Sequence, residues 1–151
     1  MKLSEALIIR ADLQKNIAQL EVRLQANAQI QEGGVLAEKP EELFAKLRKT
    51  LVEFEDLVQK INYTNTVSKD TDGKSISQLI VKRDVMDTEI KMMRQFLDKA
   101  SNLIQPYTKT EIRNLSSVDV SSYRKSLDDL SKKRRELEAK IQELNWTTEL
   151  V

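Results

Sequence analysis

The chain of 151 residues contains no cysteine and no histidine. The first absence excludes a disulfide framework and a thiol nucleophile. The second removes the commonest general base, the commonest metal ligand and the usual titrating group near neutral pH. Three glycines and two prolines are too few for the many turns of an all-β fold. Net charge is only +1, so no bulk field draws the chain to nucleic acid or to an anionic membrane. Long apolar runs are missing as well: nothing approaches the ~20 residues of a membrane span. After Lys2 the apolar residues are broken by Glu5, Arg10 and Asp12, so the opening does not read as a signal peptide. The expected compartment is the cytoplasm.

Chemistry-bearing motifs are absent too. There is no glycine-rich phosphate loop and no spacing of metal ligands. Carboxylates are plentiful, among them Glu5, Asp12, Asp84, Asp87, Glu89, Asp128, Asp129, Glu136 and Glu138. Di-iron bundles, however, pair such acids with histidine. The one basic run, Lys132-Lys133-Arg134-Arg135, spreads around a helix and is followed at once by Glu136 and Glu138. It reads as solvated surface and not as a nucleic-acid face. The expectation is a chain with no catalytic residue, no metal and no cofactor, hence not an enzyme.

What the sequence has is heptads. Residues Ile76, Leu79, Arg83, Met86, Ile90, Met93, Leu97, Ala100 and Ile104 alternate spacings of three and four without a slip. That is the pattern of a helix packed along one seam. A second stripe, Val85, Met92, Phe96 and Leu103, predicts that this helix has neighbours on more than one side. Three other segments repeat the seam. The first helix, expected over 3–29 and ended by Gly33-Gly34, carries Leu3, Ala6, Arg10, Leu13, Ile17, Leu20, Leu24 and Asn27. The second opens at Pro40, whose missing N–H costs nothing in a first turn, and carries Phe44, Leu47, Leu51, Phe54, Val58, Ile61 and Asn65. A polar turn, Lys69 to Gly73, leads to Ser75 at the start of the third. The fourth, capped by Asp119 or Ser121, carries Val120, Tyr123, Leu127, Leu130, Arg134, Leu137, Ile141 and Leu144. Pro106 should stop the third helix, and residues 107–118 read as a connection with one short extended segment. Trp146, just past the last seam, reads as a plug over one end of the core.

The predicted fold is all-α: four long antiparallel amphipathic helices in one domain over 1–151, either a helical bundle or paired helical hairpins. Broad apolar faces and near-neutral charge suit a homo-oligomer that acts through protein–protein contacts.

The polar residues in the seams single out candidate site residues. Arg10, Arg83 and Arg134 each occupy a seam position, as does Asn65, with Asn62 one turn back. Charged groups at packed positions need partners. Up-down counting gathers Arg10, Asn62, Asn65, Arg83, Asp84, Arg134 and Glu138 toward one end of a bundle, with Asp12, Asp84 and Glu138 as the nearest anions in sequence. One reading is a structural network that fixes helix register. The other is a pocket whose spare positive charge holds a small anion such as phosphate or a carboxylate.

Several segments together resemble the septicolysin-like family of small bacterial helical proteins. They are Leu3-Ser4-Glu5-Ala6-Leu7-Ile8, Arg10-Ala11-Asp12-Leu13-Gln14, Gln31-Glu32-Gly33, Asn62-Tyr63-Thr64-Asn65, Arg83-Asp84, Val118-Asp119-Val120, Ile141-Gln142 and Asn145-Trp146. Their order spans nearly the whole chain. The resemblance implies a cytolysin related to thiol-activated pore formers, and membrane-active lysis is thus an alternative expectation. The residues themselves favour the non-lytic reading, since there is no cysteine and no tryptophan-rich loop.

Overall fold

A computed structural model describes residues 1–104 and 112–151. It is all-α. Four helices follow one another: α1 Leu3–Ala26, α2 Pro40–Val67, α3 Ile76–Ser101 and α4 Val120–Thr147. At 1.5 Å per residue the longest are about 42 Å long. The chain divides into two compact units. The first comprises residues 1–75 and 144–151; the second comprises residues 76–143.

In the first unit α1 and α2 pack as an antiparallel hairpin. Leu3, Ala6 and Leu20 of α1 and Leu43, Leu57 and Ile61 of α2 supply its buried apolar residues. All six fall on the predicted seams or next to them. Helix α1 stops at Ala26, well before the glycine pair expected to end it. Asn27 is the cause. Its side-chain amide donates to the Arg23 carbonyl at 2.9 Å, and its carbonyl oxygen accepts the Glu38 amide at 3.1 Å. One asparagine thereby satisfies an orphan carbonyl of the last turn and pins the return of the chain. Arg23 pairs with Glu38 across the same turn. Gly33 serves within the loop, where φ of +77° requires a residue free of Cβ clash. Pro40 opens α2 as its first residue, as predicted. The polar turn also forms as predicted: Asp70 Oδ1 accepts the amides of Asp72 and Lys74 at 2.9 and 2.8 Å.

Residues 144–151 complete this unit. The Leu3 amide donates to the Thr148 carbonyl at 2.9 Å, and the Leu150 amide to the Met1 carbonyl at 2.8 Å. Lys2 Nζ reaches Glu149 at 2.7 Å, and the Val151 amide donates to the hydroxyl of the fully buried Thr64 at 3.0 Å. Trp146 does not plug the core: it is 61% exposed, and its neighbour Asn145 is the buried residue. On the last turn of α4 one step in sequence turns a side chain through about 100°, which decides which of the two faces inward.

In the second unit α3 and α4 also run antiparallel. Arg83 meets Glu138, Asp87 meets Arg134, and Phe96 meets Tyr123 with ring centroids 6.0 Å apart. Asp119 caps α4 by accepting the amides of Ser121 and Ser122 at 3.1 and 3.4 Å. Ile76, Leu79, Ile90, Leu97 and Ile141 are buried. Leu127, Leu130 and Leu137 of the α4 seam stay only half-buried. The second stripe of α3 is uncovered: Val85 is 63% and Met92 65% exposed. The expected extended segment falls partly on residues 105–111, as does Pro106; these lie outside the described residues. Residues 112–118 form no strand.

Candidate functional site

The seam arginines of α3 and α4 meet in one network on the second unit. Antiparallel packing sets Arg83 and Asp87, one turn apart on α3, against Glu138 and Arg134, one turn apart on α4. Arg134 grips Asp87 with two parallel bonds, Nε to Oδ1 at 2.7 Å and Nη2 to Oδ2 at 3.0 Å. Such a fork fixes orientation as well as distance. Arg83 donates to Asp84 Oδ1 from Nε at 3.0 Å and from Nη2 at 2.8 Å, and to Glu138 Oε2 from Nη1 at 3.3 Å. Glu138 lies between the two guanidiniums, with Arg134 Nη1 at 3.5 Å from the same oxygen. Its other oxygen accepts from Gln142 at 2.7 Å.

The bond from Gln142 and the two guanidiniums hold the Glu138 carboxyl below its ordinary 4.5. The Arg134 fork holds Asp87 below its ordinary 3.8. Arg83 and Arg134 are raised in turn, chiefly by Asp84 and Asp87. These side chains are a quarter to about a half exposed, and Asp84 more so. Solvent therefore screens the network strongly.

Its charge decides what it can do. Two guanidiniums face three carboxylates, so the surplus is negative. A small anion finds no spare positive charge in this cluster. The arrangement instead locks the α3–α4 register, because sliding by one turn would place Arg134 away from Asp87.

Of the predicted site residues, Arg83, Asp84, Arg134 and Glu138 are joined directly. Arg10, Asn62 and Asn65 belong to the first unit. There Arg10 is half-buried with its Nε unpartnered, Asn65 is half-buried, and Asn62 is exposed with its carbonyl accepting the Thr66 hydroxyl at 2.9 Å. Asp12, the nearest acid to Arg10 in sequence, pairs with Lys15 at 3.7 Å. Sequence reasoning missed Asp87 and Gln142. The signal for Asp87 was available: it lies one turn beyond Arg83, as Arg134 lies one turn before Glu138, so one antiparallel register satisfies both. Among the described residues no group of three or more acidic side chains is placed to hold a metal ion.

Comparison with known proteins places the chain. The model of a family of unknown function, DUF6847, matches residues 10–150. The chain belongs to DUF6847. Its description assigns no activity. Among solved structures, the chain is similar to a functionally unknown conserved protein from Corynebacterium diphtheriae, with a TM-score of 0.91 and 32% identity. That match covers 100% of this chain and 99% of the other. No curated protein matches.

Replacing Arg83 by Met should lower stability by about 1 kcal/mol near neutral pH, since Glu138 and Asp84 lose a partly exposed counter-charge. Glu138 and Asp87 have depressed folded-state pKa values. Their contribution is therefore full above their ordinary values of 4.5 and 3.8 and is lost as pH falls through the depressed ones. The deficit of the variant should accordingly shrink in acid. Urea unfolding at several pH values reads this, and a variant more stable than the parent would show positive charge in surplus there.

Proposed function

We propose that this chain is a non-enzymatic cytoplasmic protein that acts through protein–protein contacts as a homo-oligomer. The observation that carries this reading is its surface. The chain exposes 11385 Å². A folded monomer of 17.4 kDa exposes about 7,900 Å². Even two bodies of half that mass, each alone in water, would expose only about 9,500 Å². The exposed surface exceeds both values. It includes large apolar side chains on regular helices: Ile8 and Val22 on α1, Phe44, Leu51 and Val52 on α2, Val81, Val85 and Met92 on α3. Exposed apolar side chains gathered on one helix face mark contact sites.

The alternatives have less behind them. No helix among the described residues is long and apolar enough to cross a membrane. The small-anion reading meets a network with surplus negative charge and retains only Arg10. A tagged and an untagged copy of the chain, expressed together, test the oligomer. The untagged copy should be retained with the tagged one through a high-salt wash, and its loss would overturn the reading.

A further inference from the structure

We propose that the outward face of α3 is the seam between two copies of this chain, packed antiparallel about a two-fold axis that passes between Thr88 and Glu89. This inference rests on the oligomer reading above and names its surface.

Helix α3 is apolar on two sides. Ile76, Leu79, Ile90 and Leu97 are buried. Val81, Val85, Met92 and Phe96 fall within about 60° of one another on a different face, roughly 150° around the helix. They are 62%, 63%, 65% and 42% exposed. Isolated exposed apolar residues need no account, but four on one stripe at heptad-compatible spacing make a seam without an occupant.

Two observations commit that occupant to a second copy. The first is spacing. Intervals of four, seven and four residues read the same in either direction. An antiparallel copy therefore brings Val81 opposite Phe96 of the second copy, and Val85 opposite its Met92. A two-fold contact requires this self-complementarity. The second is charge. In the same register Asp84 and Lys91 of the second copy fall on the same flank of the seam, offset by about two residues' rise, some 3 Å, along the axis, and this juxtaposition of opposite charges occurs twice. Phe96 is already steadied by Tyr123 of α4, so less rotamer freedom is lost when it is covered.

The register also has a cost, and the cost is diagnostic. Glu89 of each copy lies beside the axis and faces its counterpart. Glu89→Gln should therefore tighten the dimer a few-fold, whereas a partner of any other kind would give that substitution no such role.

The natural chain has no cysteine, so an introduced one reports alone. Under mild oxidation Thr88→Cys should give a disulfide-linked dimer, because residues at the axis come within the ~7 Å limit between Cα atoms. Val81→Cys should not link to itself, since its copy lies about 22 Å along the helix. A mixture of Val81→Cys and Phe96→Cys should link. Val85→Asp with Met92→Glu should weaken association by a hundredfold or more, with the helical circular dichroism of the parent retained because both positions face water. Self-linkage of Val81→Cys would mean a parallel seam and would overturn the inference. If copies co-purify yet Thr88→Cys fails to link and the double variant associates normally, the seam lies elsewhere and only this inference falls. If copies do not associate at all, the oligomer reading falls with it.

Discussion

Ile61→Ala should destabilise the protein by about 2–4 kcal/mol, the cost of removing a large buried side chain and leaving a cavity behind. Ile61 is 1% exposed and sits at the seam of α2 among the buried residues of the first unit. Its neighbourhood cannot easily collapse, because fully buried Thr64 one turn on is fixed by the Val151 amide. Val52, on the same helix, is 67% exposed, so Val52→Ala should change stability by no more than about 0.5 kcal/mol. Urea unfolding followed by circular dichroism gives both values. Equal effects of the two substitutions would contradict the assignment of the α2 seam.

The second large effect is a dependence of thermal stability on concentration. An oligomer that covers apolar faces binds only the folded chain, so mass action stabilises it. Raising free chain to a hundred times the dissociation constant adds about 2.7 kcal/mol. For a chain of this size the melting midpoint should rise by about 5–10 °C. A midpoint constant across dilution would mean that unfolding proceeds from the monomer at every concentration used.

The helices were legible because each carries an unbroken three-four alternation, and because Pro40, the Lys69–Gly73 turn and Asp119 mark boundaries by local chemistry. What the sequence did not reveal depended on contacts across the fold. Asn27 ends α1 because it can reach Glu38, a residue eleven positions on. The glycine pair looked like the stop only when read locally. Trp146 read as a plug because aromatic size suggests burial, yet the last turn of α4 directs Asn145 inward instead. Thr64 gave no hint that its hydroxyl would receive the end of the chain.

The candidate site divides along the same line. Seam arginines announced a need for anions, and Arg83 and Arg134 found them. The sign of the surplus charge could not be counted beforehand, because Asp87 lies off the seam and enters only through the antiparallel register. The α3 stripe was legible as apolar, and its Val85 and Met92 stay exposed in the structure. A heptad pattern states that a face wants covering; it does not state whether the cover comes from the same molecule or another.

Sedimentation equilibrium of the unmodified chain at micromolar concentration tests this most directly. A mass of at least twice 17.4 kDa, falling toward 17.4 kDa on dilution, is the expected result. A mass of 17.4 kDa throughout the micromolar range would contradict it.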